Sequence, residues 1–157
     1  VEEIIPGALY LVSTPIGNLS DITYRAVRTL QSVDLIAAED TRVTSILLRH
    51  YDIHKKMISF HSYNQKQQTH KMIDYLKDNY SIAMVSDAGT PGISDPAYTL
   101  VQAALENNIR IIPIPGASAF LASLIVSGLP VNRFVFEGFL PLKKGRKSKI
   151  ENLVTET

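Results

Sequence analysis

A chain of 157 residues, 45% apolar and 20% charged, has the size of one ordinary domain and enough apolar material for a real core. It has no cysteine, which excludes disulfide staples, thiolate metal sites and a cysteine nucleophile, and suits a reducing cytoplasm. The net charge of +1 is unevenly spread: residues 132–157 hold six Lys/Arg and three acids, whereas 1–131 hold ten basic and twelve acidic residues, a pattern that points to an anionic partner contacted at one place.

Ala8–Thr14 is a short apolar run stopped by Pro15 and predicts a buried strand. A PIGN turn leads to helical spacing over Ile22–Leu30, with Asp21 placed to cap it. Val33–Glu39 predicts a second buried strand. Thr41 is expected to cap a helix over Val43–Arg49, and Lys56–Phe60 to form a third strand. Gln65–Asp78 has the pattern of a polar, exposed helix whose inner face is Met72, Ile73 and Leu76. Ser81–Ser86 predicts a fourth strand, Asp87–Pro96 a loop, Ala97–Asn107 a helix, Arg110–Gly116 a fifth strand and Ala117–Gly128 an apolar helix.

Strands alternating with helices in this way predict an α/β fold, a mostly parallel five-stranded sheet with helices on both faces. Leu129–Arg133 resets the pattern. Phe134–Phe139 alternates like the first strand of something new, and PLKKGRKSK reads as a basic loop or helix start. The expected division is an α/β domain over 1–130 and, over 131–157, a linker with the start of a second, truncated α/β domain. The opening VEEIIPGALYLVSTP lacks the basic flank and long apolar run of a secretory signal, and the apolar stretch around Ala117–Val126 is far too short to cross a bilayer.

Ligands of parallel α/β sheets bind at the carboxyl ends of the strands. Unusual sequence collects there: TPIGNLSD, EDTR, HSYN, SDAGTPGISDP and PGASA. GxxxxGK[ST] is absent, and GxGxxG does not follow the first strand, which argues against a triphosphate cradle and the usual dinucleotide site. Gly116–Phe120 nearly spells a GxSxG nucleophile elbow but ends in Phe. The four histidines lack metal-ligand spacing.

LVSTPIGNLSDIT, AAEDTRVT, VSDAGTPGISDP and IPGASA, in that order, resemble the tetrapyrrole methylase superfamily. Within it they are similar to a branch that methylates ribosomal RNA, and FEGFLPLKKGRK resembles the start of that branch's second domain. The resemblance implies S-adenosylmethionine as cofactor, folded between two α/β domains of a homodimer about twice this length. It implies transfer of a methyl group to a cytidine 2′-hydroxyl of 16S ribosomal RNA in the small ribosomal subunit. A methyltransferase of a tetrapyrrole-like small molecule and a non-catalytic cofactor- or RNA-binding module are the alternatives.

By this resemblance the cofactor is lined by Pro15, by Asp87, Ala88, Gly89, Gly92 and Ile93, and by Gly116, Ala117, Ser118 and Ala119. Asp95, ahead of Pro96, also reads as a helix cap. Asp21, Glu39, Asp40 and His61 are the candidates for accepting a proton from the attacking hydroxyl. In the stretch His61–Gln65 the family usually has His and Glu where this chain has Tyr63 and Gln65, which weakens an essential acid there. Arg42 either pairs with Glu39 or Asp40 or contacts RNA phosphate. Lys143, Lys144, Arg146 and Lys147, with Lys149, form a cationic run suited to phosphate.

Overall fold

The computed structural model describes residues 3–154. The chain divides after Ser127 into two compact units.

The first unit is built on strands β1 (Leu9–Val12), β2 (Leu35–Ala38), β3 (Met57–Ser59), β4 (Ile82–Val85) and β5 (Ile111–Ile114). They form one sheet in the order β3-β2-β4-β1-β5, with every neighbouring pair parallel. Helices α1 (Tyr24–Ser32), α2 (Thr41–His50), α3 (Gln65–Lys77) and α4 (Ala97–Glu106) connect the strands, and α5 (Ala119–Val126) follows β5. The central strands β2 and β4 are apolar and buried at every position, as a sheet covered on both faces requires.

Register sorts the side chains by face. Tyr10, Ile36 and Ala83 align across β1, β2 and β4 and pack with Ala26, Leu30 and Leu48 of α1 and α2. Leu9, Leu35 and Ile82 align one position earlier and face Met72, Leu76 and Leu100 of α3 and α4. Removing a fully buried Leu such as Leu30 or Leu100 costs roughly 2–5 kcal/mol, so these two layers hold the sheet. Pro113 sits in β5, an edge strand, where its missing N–H breaks no ladder.

The helices place a crevice. β1 sends the chain through α1 to one face, while its neighbour β4 sends it through α4 to the other. Adjacent strands that lead to opposite faces open a gap at their carboxyl ends, where such sheets hold ligands.

Two predicted caps shift by a residue or two. Asp21 does not cap α1: it ends a short 3-10 turn, Leu19–Asp21, and the Thr23 hydroxyl accepts the Ala26 N–H at 3.1 Å instead. Thr41 is the first residue of α2, and the Asp40 carboxylate caps it by accepting the Arg42 N–H at 2.8 Å. The inner face of α3 is Met72, Ile73 and Leu76, as its pattern predicts, and Thr69 is buried with them. α5 is apolar, and its Leu121, Ile125 and Val126 are exposed.

The second unit, Gly128–Thr157, contains α6 (Arg146–Val154). Phe134–Phe139 is not a strand, contrary to its alternation. A strand exists only in a ladder, and the sheet of the described residues does not include this segment. The basic tract is loop to Gly145 and helix from Arg146, with Lys147 facing Glu151 at 3.8 Å and Lys149 paired with Glu137. Among the described residues no helix is long and apolar enough to cross a membrane.

Candidate active site at the carboxyl ends of the sheet

Three of the unusual loops meet at the crevice. Past β1, Thr14 pairs with Gly89 of the loop after β4: the Thr14 N–H donates to Gly89 O at 2.8 Å and the Gly89 N–H donates to Thr14 O at 3.1 Å. The Thr14 hydroxyl donates to Ser86 O at 3.2 Å. The Ser13 and Thr90 hydroxyls are 2.9 Å apart, and the Thr90 hydroxyl also reaches Ala117 O at 3.4 Å. Gly116 lies so close to β1 that a Cβ there would stand 2.8 Å from Ser13 Cβ. The segments around Pro15, Gly89 and Gly116 are thus one continuous wall. Gly89 has φ +83°, in the left-handed region that favours glycine, and this φ turns its backbone into the bridge with Thr14.

The loop Asp87–Pro96 is closed by its own acid. Asp95 accepts from the Gly92 N–H at 2.8 Å and from the Ala97 N–H at 2.9 Å, so it both folds the loop and caps the start of α4. Gly92, at φ +88°, is exposed, with no heavy atom within 4 Å of where a Cβ would be. Ala88, Ile93, Gly116 and Ala119 are exposed, whereas Ala117 and Ser118 are half-buried.

A second group gathers where β2 and β4 end. The Asp40 N–H donates to Asp87 Oδ1 at 2.9 Å, and the Asp87 N–H reaches Glu39 Oε2 at 3.4 Å. Burial, and then the nearby carboxylates of Asp87, Asp95 and Asp40, push the Glu39 carboxyl above its ordinary range, against the pull of the Asp87 N–H. Glu39 has no cationic partner among the described residues. Asp40 is its opposite. The Arg42 guanidinium binds both its oxygens, with Nη2 at 2.6 Å from Oδ2, and these bonds hold its carboxyl down to about 2. The pairing read for Arg42 is therefore with Asp40, although the guanidinium side chain remains 89% exposed and open to other contacts.

The remaining candidates take no part in these hydrogen bonds among the described residues. Asp21 is exposed at the end of its turn. His61 follows β3, the edge strand on the far side of β2; its N–H donates to Asn64 Oδ1 at 2.9 Å, and its ring contacts Tyr63 edge-on. Lys143, Lys144, Arg146 and Lys147 belong to the second unit and are exposed there.

Sequence reasoning missed two features. The hydroxyls of Ser13, Thr14 and Thr90 fasten loops more than seventy positions apart. Their only signal was hydroxyl residues at a strand end, where buried polar groups must find partners. The second is a cleft of about 150 Å³ between the loop after β1 and α2, lined by Thr14, Pro15, Gly17, Leu19, Val43, Thr44, Ile46, Leu47, Ser86 and Asp87.

Comparison with known proteins agrees with this geometry. The family model for Tetrapyrrole (Corrin/Porphyrin) Methylases matches residues 8–157. The ribosomal RNA small subunit methyltransferase I of Haemophilus influenzae is 51% identical over 153 residues, 97% of this chain and 54% of that protein. Its namesake in Synechocystis sp. is 56% identical over 151 residues, 96% of this chain and 54% of the relative. The chain thus spans about half the length of the curated relatives it matches. Among solved structures, uroporphyrin-III-C-methyltransferase from Thermus thermophilus superimposes with a TM-score of 0.60 at 19% identity, over 81% of this chain and 54% of that one, a likeness of fold.

Proposed function

The chain belongs to the tetrapyrrole methylase family, and from that premise we propose that it forms the N-terminal part of an S-adenosylmethionine-dependent enzyme that methylates a cytidine 2′-hydroxyl of 16S ribosomal RNA. The observation that carries this reading is the joining of the loops after β1, β4 and β5 into one wall at the switch point of the sheet. The 51% and 56% identity to ribosomal RNA small subunit methyltransferases I supports the choice of substrate.

The residues fit the cofactor. Gly89, Gly92 and Gly116 keep side chains off the wall, so a ligand can approach the backbone of Asp87–Ile93 and Gly116–Ala119 beside Pro15. The carboxylates of Glu39, Asp40, Asp87 and Asp95 make this edge negative, which favours a sulfonium cation. When bound, S-adenosylmethionine supplies the activated methyl group.

The chain's own residues do the rest. The wall fixes the reactants relative to one another, the largest source of rate in a displacement of this kind. Glu39 is the proton acceptor in this scheme: it is half-buried, has no cationic partner among the described residues, and has a raised proton affinity, whereas Asp40 is tied to Arg42. Arg42, Lys143, Lys144, Arg146 and Lys147 contact RNA phosphates. The enzyme works in the cytoplasm as a homodimer on the small ribosomal subunit.

The test is transfer of labelled methyl groups by the full-length protein to 30S subunits and to uroporphyrinogen, followed by nucleoside analysis. The expected product is 2′-O-methylcytidine. Labelling of uroporphyrinogen alone would overturn the reading in favour of a tetrapyrrole substrate, and cofactor binding with no transfer to either would overturn it in favour of a binding module.

A further inference from the structure

We infer that the cleft between the loop after β1 and α2 receives the base of the target nucleoside, an amino-bearing pyrimidine turned out of its RNA stack. The inference rests on the RNA-methylating function proposed above and names the substrate group that this half of the protein selects.

Size is the first argument. The cleft measures about 150 Å³, and an apolar cavity of about 150 Å³ holds a single six-membered ring. A pyrimidine matches that measure, and a purine exceeds it.

The walls are the second argument. Pro15 and Leu19 come from the loop, and Val43, Ile46 and Leu47 from α2. Val43 and Ile46 are 40% and 59% exposed although both are apolar, and they stand one turn apart beside the buried Leu47. Apolar faces on two sides are what a flipped base stacks between.

The third argument is the polar group at the rim. The Asp87 carboxylate turns toward the start of α2, where its Oδ1 accepts the Asp40 N–H at 2.9 Å. Its Oδ2 accepts nothing among the described residues. A carboxylate accepts from the 4-amino group of cytosine and repels the 4-carbonyl of uracil. The Asp87 backbone meanwhile touches Glu39, so a base held here keeps its ribose beside the proposed proton acceptor.

Methyl transfer by the full-length protein decides the matter, measured against 30S subunit concentration, with S-adenosylmethionine affinity measured by calorimetry. Ile46→Trp fills the cleft from an exposed position, and Ile46→Leu keeps its volume. The expected result is a rise of about tenfold or more in KM for subunits with Ile46→Trp, little change with Ile46→Leu, and an unchanged cofactor Kd in both. A wild-type KM in the Trp variant overturns the inference, and so does an equal weakening of cofactor binding, which would make the cleft part of the cofactor site. A second arm needs no variant: free cytidine should inhibit wild-type transfer more strongly than uridine or adenosine, and equal inhibition by all three overturns the inference. Failure of the wild-type protein to methylate subunits at all would instead remove the parent function.

Discussion

Ser13 and Gly116 stand back to back, with Ser13 Cβ only 2.8 Å from the place a Cβ on residue 116 would occupy. Residue 116 follows the edge strand β5, and residue 13 follows β1, so this contact sets how closely the fifth loop approaches the first. Gly116→Ala should therefore lower unfolding free energy by about 1–3 kcal/mol, the usual range for an overpacked methyl group. Ser13→Gly in the same chain removes the opposing atom and should recover part of that loss. Urea denaturation of the two singles and the double checks it. Additive losses would mean that the two sites do not touch.

Glu39→Gln makes a prediction about pH. The folded-state proton affinity of Glu39 is raised above the usual 4.5, with burial the main cause and the neighbouring carboxylates adding to it. A group raised in this way supports the fold fully below its unfolded value and loses that support as pH rises through the folded value. The neutral Gln variant should match wild type in thermal stability below pH 4.5 and exceed it near neutral pH. Its turnover in the full-length protein should fall by about 10²–10⁴ at saturating cofactor, the range for loss of a general base. Undiminished turnover would remove Glu39 from the mechanism.

How much of this was legible depends on the range of the interaction. LYLV, LIAA and IAMV are buried on both sides, and such short continuous apolar runs mark interior strands directly. The α3 face at Met72, Ile73 and Leu76 followed from its helical period. The caps were harder, because Asp21 and Thr23, and likewise Asp40 and Thr41, are all good cap formers, and only the local backbone path decides between neighbours. Phe134–Phe139 has a strand's alternation, but pairing depends on a partner that alternation cannot supply. At the site, glycines and prolines flagged the loops. The Ser13–Thr90 contact, by contrast, depends on the strand order β4-β1-β5, which no local pattern records.

Asp40 gives the opposite pH behaviour from Glu39. Its bonds from Arg42 lower its carboxyl from 3.8 to about 2, so its support of the fold is present above 3.8 and is lost as pH falls through the lower value. Asp40→Ala should lower the melting temperature at neutral pH, and the gap should narrow as the pH falls toward 2. Asp40→Asn should keep only the part that comes from the Arg42 N–H, which an amide oxygen also accepts, and lose the part that comes from the guanidinium pair. A gap that is constant with pH would mean that the cap's charge is irrelevant.

The basic tract offers a test of substrate charge that is independent of catalysis. Lys149 pairs with Glu137, and Lys147 faces Glu151 at 3.8 Å, so part of the positive charge is balanced locally. Lys143 and Lys144 are exposed and have no ion pair among the described residues. If they meet RNA phosphates, each contact releases counterions, and the slope of log K against log salt carries about one unit per contact. In the full-length protein, Lys143→Ala with Lys144→Ala should flatten that slope for 30S binding by about two units and weaken binding most at low salt. Cofactor affinity, measured in parallel, separates a lost phosphate contact from a general loss of binding. Lys149→Ala should flatten the slope less, since its charge is already shared with Glu137. An unchanged slope in the double variant would place the phosphate contacts elsewhere, with Arg42 the next cation to replace.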